Sequence, residues 1–464
     1  MLTMLAKQQL ETVLKKALGE GGDFAEVFLE RKSTNAITCE DNRIEKVVSG
    51  IELGAGIRVI VGDNTAYGYT NDLSEQGLIE VAEVVAKAAK GTQQDVTIEL
   101  KKVQSPVTST VKQYPEDVSI DEKVRLVEAA NRAARNIDDR VKQVAVGYGD
   151  VVQDIWVANS LGTYVEDRRV RTRFVVNVVA AHEGLIQTGY EAVGGHVGFE
   201  LFQEVSVEEL ARQAANRALL MLKAKPAPAG KMVVVMAGEA GGTMIHEACG
   251  HGLEADLVQK QLSVYAGKIG QKVASELVTV VDDATLPGKY GSLTFDDEGN
   301  PGQKTVLIEN GILKDYMYDY LTAKKEGRAS TGNGRRESYR DRPIPRMTNT
   351  FIAPGQSDPE DIIRSVEKGF FVKKMGGGQV NTTNGDFVFD VTEGYLIENG
   401  TVTEPVRGAT LTGNGPEVLQ MIDMVGNDHG FAIGTCGKDG QGVPVSDAQP
   451  TIRIPNLTVG GLLE

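Results

Sequence analysis

Cysteine is scarce in this chain: three in 464 residues, at positions 39, 249 and 436. Three thiols cannot build a disulfide framework, so a secreted scaffold stapled by bridges is excluded. A cytoplasmic, reducing compartment is the expectation. Long apolar runs are missing as well. The most apolar stretch, residues 232–237, is far shorter than the roughly 20 residues that span a bilayer, so no membrane partner is expected. Lys7, Lys15 and Lys16 interrupt the N-terminal segment, which lacks the apolar centre of a signal peptide. Basic charge is in deficit, with 49 Lys and Arg against 64 Asp and Glu and a net charge of −15. A general nucleic-acid binder needs basic surface to displace counterions, so nucleic acid is not an expected partner. What remains is ordinary for a folded soluble protein, with 41% apolar and 24% charged residues.

Glycine marks the organisation. Only 18 of the 53 glycines precede residue 230. The change falls at Lys223-Ala-Lys-Pro-Ala-Pro-Ala-Gly230, which reads as a proline-stiffened linker. Before it, Leu5, Leu10, Val13, Leu14 and Leu18 recur at helical spacing. Strand-like runs follow at 25–29, 43–48 and 51–61, then a helix at 74–90 and a polar connector at 101–115. Ser119 with Glu122, and Ser206 with Glu209, have the spacing of helix N-terminal caps. Between those helices lie strand-like runs at 141–156 and 170–181. Each strand group closes on Gly-Tyr, at Gly68-Tyr69 and Gly189-Tyr190. This fits a degenerate duplication, and an ordinary α+β chain can look the same. Strands that follow one another without crossover helices favour antiparallel sheet. The second half is mostly β, with hairpin signals at Asn310-Gly311, Asn384-Gly385 and Asn399-Gly400. The expected fold is therefore α+β, in three units. An N-terminal α+β unit spans 1–110, a central α+β unit 111–224, and a β-rich unit bearing one metal-binding helix 225–464.

That helix starts near Thr243 and carries His246-Glu247-Ala-Cys-Gly-His251. In metalloproteases, two histidines four apart put both imidazoles on one helix face, with a carboxylate beside the metal. Here the spacing is five, which on a regular α-helix sets the rings roughly 140° apart. A π-turn would return them to one face. Alternatively the helix ends at Gly250 and His251 swings in from its last turn. The competing reading is two ordinary helix histidines and a solvated Glu247. Soft ligands suit zinc. Cys436, in Gly434-Thr-Cys-Gly-Lys-Asp-Gly440, is the best remote candidate for a third ligand, against a buried inert thiol.

The segment Thr243-Met-Ile-His-Glu-Ala-Cys-Gly-His-Gly-Leu-Glu254 resembles the TldD-type members of the TldD/PmbA family. So do Arg340-Asp-Arg-Pro-Ile-Pro-Arg-Met-Thr-Asn349, Gly376-Gly-Gly-Gln-Val380 and the ending from Gly434 through Asn456-Leu-Thr-Val-Gly-Gly461. The resemblance implies a zinc metallopeptidase with one Zn2+ per catalytic subunit. His246, His251 and Cys436 would bind the ion, and Glu247 would be the catalytic carboxylate. It also implies a PmbA-like (TldE-like) partner lacking the motif, or a homodimer, and peptide substrates that are unfolded or small.

In that reading Glu247 takes a proton from water and passes it to the leaving amine. An extended peptide pairs with strand edges near 376–380 and 387–389. Arg346 and Asn349 are candidates to line the cleft, against a purely structural loop. Glu254, ahead of Asp256, is the candidate to orient a ligand imidazole. Plainer readings hold elsewhere. Cys249 packs as a small apolar group, His182-Glu183 has no second histidine, and His196 sits in a loop. His429 is a weaker candidate to support a ligand. Arg335-Arg336 and Lys373-Lys374 read as solvated charge. The alternatives to a peptidase are a small-amide hydrolase and a non-catalytic, peptide-binding regulator with structural zinc.

Overall fold

The computed structural model describes residues 5–91, 97–109 and 111–461. The expected unit ends at 1–4, 110 and 462–464 lie outside the described residues. The first half is one sheet with helices on it, antiparallel except where Lys101–Lys102 pairs parallel with Thr163 and Tyr164. Phe24–Glu40 pairs on one side with Arg43–Val61, which in turn pairs with Asn64–Thr70. On its other side it pairs with Val141–Asn159, which continues into Thr163–His182 and Leu185–Gly195. Each meander is bracketed by two helices: Lys7–Ala17 and Glu75–Ala89 for the first, Ile120–Arg135 and Val207–Lys223 for the second. The two helix–strands–helix segments thus meet through their equivalent first strands. Antiparallel pairing of equivalent strands is the arrangement a duplicated unit gives about a two-fold axis.

The helices form where caps and apolar spacing coincide. Ser74, Ser119 and Ser206 each accept a backbone hydrogen bond from three residues on, at Gly77, Glu122 and Glu209. Leu10, Val13, Leu14 and Ala17 form the buried stripe of the first helix. Together with Leu78, Ala82 and Val85 they build one core against the first meander, and a second core lies under the other helix pair. The Pro-rich segment before Gly230 is not a free linker. Lys225–Pro226 pairs with Val406 and Arg407, so this segment is stitched to the C-terminal half.

The C-terminal half holds the largest core and two main sheets. In one, Lys368–Val380, Gly230–Met236, Ile452–Gly460, Thr410–Asn414 and Asp386–Glu398 close into a ring, because the first strand also pairs with the last. The other runs from Ile312–Leu313 through Asn349–Ile352 and Gln441–Gln449 to an edge strand, Gly430–Lys438. Asn310-Gly311 and Asn399-Gly400 make tight turns with positive φ at both residues. At Asn384-Gly385 the strands are instead joined by five residues, 381–385, in which Asn381 Oδ1 accepts from the Thr383 N–H and Asn384 Oδ1 from the Asp386 N–H.

The two halves meet across buried charge. Arg58 is 1% exposed and pairs with Glu26 at 2.9 Å and Glu298 at 2.8 Å. Arg169 pairs with Asp297 at 2.5 Å. Arg335-Arg336 is not solvated charge. Both side chains are buried, Arg336 on Glu26 and the carbonyl of Asp297, and Arg335 on the carbonyls of Met347 and Pro444. The Glu26 carboxylate holds Arg336 inside the junction, whereas Arg335 is held, among the described residues, by backbone carbonyls alone. Lys373 and Lys374 are partly exposed and pair with Glu393 and Glu191. No helix among the described residues is long and apolar enough to cross a membrane.

Candidate metal centre

Strand Gly230–Met236 leads through a turn into a short, irregular helix. It is α-helical over Thr243–Ile245, a π-turn over His246–Gly250, and 3-10 over His251–Leu253. The π-turn offsets the five-residue spacing, and the two imidazoles stand 5.0 Å apart between ring centres, edge to face. Neighbours hold this turn closely. The Tyr265 hydroxyl donates to the carbonyl of Ala248 at 2.9 Å. Gly415 presses on the same carbonyl, where a Cβ would sit 2.3 Å from the oxygen.

Cys436 comes from the edge strand of the other sheet, 185 residues from His251, with its Sγ 3.5 Å from His251 Nε2. One ligand atom from each of His246, His251 and Cys436 falls within 4.8 Å of the others. Burial works against the Cys436 thiolate, but hydrogen bonds with His246 and His251, and their charges, bring its pKa down to about 5. Burial also opposes the His251 imidazolium, yet Glu254 and Cys436 hold its pKa well above the usual value. Two imidazoles and a ready thiolate are a donor set that fits a soft divalent cation.

Carboxylates stand behind both imidazoles. Glu254 Oε2 is 3.1 Å from His251 Nδ1. Asp447 Oδ2 is 3.8 Å from His246 Nδ1, which has no hydrogen-bond partner among the described residues. Glu254 is fully buried; desolvation opposes its charge, but Lys438, His251 and Arg346 bring its pKa to about 2. Glu247 differs from these. Its carboxylate makes no hydrogen bond among the described residues and lines a cleft of about 460 Å³ with His246, His251 and Cys436. Burial raises its pKa.

Two strand edges frame that cleft. Lys368–Val380 pairs with Gly230–Met236 only over residues 369–372, so residues 376–380 have a single neighbour, the strand Asp386–Glu398. Among the described residues, the one strand hydrogen-bonded to Gly430–Lys438 is Gln441–Gln449. Gly378, Gln379, Val380 and Thr382 line one side, and Thr435, Gly437 and Lys438 the other. Gly378 is compulsory, because a Cβ there would lie 1.9 Å from the ring of Phe389. Phe387 and Phe389 themselves are core residues under the cleft, not part of its wall.

Arg346 and Asn349 do not line the cleft either, and that expectation is corrected. Both are 0% exposed. Arg346 donates to the carbonyls of Cys436 and Gln441. Asn349 donates to the Asp283 carbonyl and to Ser292 Oγ, and accepts from Gly291 N–H. These groups bind the C-terminal sheet to its loops. Asp256 pairs with Lys438 at 2.6 Å. Cys249 is buried in the C-terminal core with its thiol on the Ile245 carbonyl, and burial raises its pKa. His429 packs against the rings of Phe351 and Phe431, which also touch each other. His196 is a buried loop residue, and His182 pairs at the surface with Glu183. Sequence reasoning missed Asp447 and Lys438. Lys438 carried one usable signal, since period-2 alternation puts it on the same strand face as Cys436. Asp447 carried none.

Three family models match the chain in tandem. PmbA/TldA metallopeptidase domain 1 covers residues 25–89, the central domain 113–222 and the C-terminal domain 229–461. A metalloprotease TldD homolog of Haemophilus influenzae is 39% identical over 448 residues, covering 95% of this chain and 93% of that protein. A zinc metalloprotease TldD homolog of Saccharolobus solfataricus is 28% identical over 456 residues, covering 97% and 99%. The solved structure of TldE from Thermococcus kodakarensis has the same fold, with a TM-score of 0.78 at 22% identity, covering 98% of this chain and 100% of that one.

Proposed function

The chain belongs to the TldD/PmbA metallopeptidase family, and from that premise we propose that it is a zinc-dependent peptidase acting on unfolded or small peptides. The observation that carries this is the pairing of three soft donors with one unbonded carboxylate, Glu247, in a single cleft. His246, His251 and Cys436 hold one zinc ion. When bound, zinc lowers the pKa of a water toward about 7 and polarises a carbonyl oxygen.

The chain's own groups do the rest. Glu247 Oε takes the proton from the attacking water and delivers it to the leaving amine nitrogen. Glu254 accepts from His251 Nδ1 and fixes that ring's tautomer and direction, and Asp447 faces His246 in the same sense. The substrate lies extended between the two strand edges, where backbone N–H and C=O groups bind it with little regard to side chains. A folded domain cannot supply an extended segment to such a cleft. A compact protein should therefore resist cleavage while its unfolded form is cut at least about tenfold faster. Equal rates on the two forms, followed by mass spectrometry, would contradict the extended-substrate reading.

The likeness to TldE supports assembly with a TldE-like partner, with a homodimer as the alternative, in a reducing, cytoplasmic compartment. Within the chain, units 1–110 and 111–224 present the third unit, 225–464, which carries the chemistry. The test is zinc content in wild type against Cys436→Ala, with peptide cleavage measured alongside. The variant should lose more than about a hundredfold in zinc affinity, beyond what loss of a supporting residue does, and its activity with it. Equal zinc in both proteins removes Cys436 from the ligand set.

A further inference from the structure

Arg346 carries a buried charge that substrate binding does not explain. Desolvating a guanidinium is expensive unless its hydrogen bonds are well placed. Its Nη2 donates to the carbonyl of Cys436, and its Nη1 to the carbonyl of Gln441 at 3.2 Å. Its Nε stands 4.0 Å from Glu254 Oε1, and neither atom has a hydrogen-bond partner among the described residues. The other oxygen of Glu254 meets His251 Nδ1 and Lys438 Nζ, both at 3.1 Å. Lys438 is two residues beyond Cys436 and is further anchored on Asp256 and the Pro345 carbonyl.

These contacts close a loop from Cys436 through Arg346 to Glu254 and His251, with Lys438 as a second tie. The strand bearing Cys436 is a sheet edge, so no strand pairing fixes it against the helix that bears the histidines. We infer that Arg346 is a positioning residue of the metal centre: its guanidinium buckles the Cys436 strand to Glu254 and so sets the sulfur's position relative to His251, with Lys438 as auxiliary. This rests on the assignment of His246, His251 and Cys436 as ligands. The planar fork matters because its two Nη atoms reach separate carbonyls while Nε faces the carboxylate, a spread that the single nitrogen of a lysine at this position does not cover.

The experiment is Co2+ titration of the full chain, reading affinity and the thiolate-to-cobalt charge-transfer band. Wild type should bind with the band present. Arg346→Lys, folded by circular dichroism, should bind Co2+ about 10–100-fold more weakly with the band displaced or diminished. A folded Arg346→Lys with wild-type affinity and an unchanged band overturns the inference. Should that variant not fold, Arg346→Gln is read in the same way: about tenfold weaker binding with the band displaced supports the brace, and unaltered binding with an unchanged band overturns it. Wild-type protein that binds Co2+ without the band refutes the ligand set itself, a result separable from failure of the brace.

Discussion

Glu247→Gln should lower peptide turnover by about 10²–10⁴-fold, the range set by loss of a positioned general base, with zinc content and fold unchanged. Glutamine has nearly the same shape but cannot take a proton. The carboxylate is spent on no other bond among the described residues, so its removal strands no partner. It also stands apart from the three gathered donor atoms, so the metal should stay. Steady-state cleavage of a peptide library and metal analysis on the same samples check both halves. Full activity would remove Glu247 from the chemistry, and loss of zinc would make it a ligand instead.

The site was legible where the signal is local. Two histidines five apart beside a glutamate cannot share a face of a regular helix, so the sequence itself called for a distortion, and a π-turn with a 3-10 exit is there. Cys436 was legible only through its glycine-rich surroundings and the family resemblance, because nothing local ties a strand to a helix 185 residues away. Arg346 and Asn349 misled for a physical reason. Polar residues in a Pro-rich loop read as surface, since arginine is almost never fully buried unless paired. Here the partners are backbone carbonyls brought by distant strands, which no spacing reveals.

The same limit governed the fold. Helix caps and strand alternation gave the elements of both N-terminal segments. The pairing of Phe24–Glu40 with Val141–Asn159, which merges the segments into one sheet, is non-local and left no mark in the sequence. Turn chemistry was read correctly where Asn-Gly spans the turn alone, as at 310–311 and 399–400. It misjudged the loop at 384–385, where asparagine side chains shape a longer connection.

Arg58→Met should destabilise the chain by about 3–5 kcal/mol, the effect of removing one partner from a buried ionic group. Arg58 lies in the N-terminal sheet and reaches across the junction to Glu298, while also holding Glu26. Methionine fills much of the volume but leaves two buried carboxylates facing each other. Desolvation already pushes the Glu298 carboxyl well above its usual range with the guanidinium present. Glu26 keeps Arg336, and Glu298 keeps the backbone N–H of Tyr320, so the structure weakens at the junction rather than throughout. The double change Arg58→Met with Glu298→Gln should therefore recover part of the loss, because it removes the charge that was stranded. Urea unfolding of the three proteins, with hydrogen exchange at residues 295–300 to localise the effect, measures this. Equal loss in the single and double variants would mean that packing around Arg58, and not its charge, holds the two halves together.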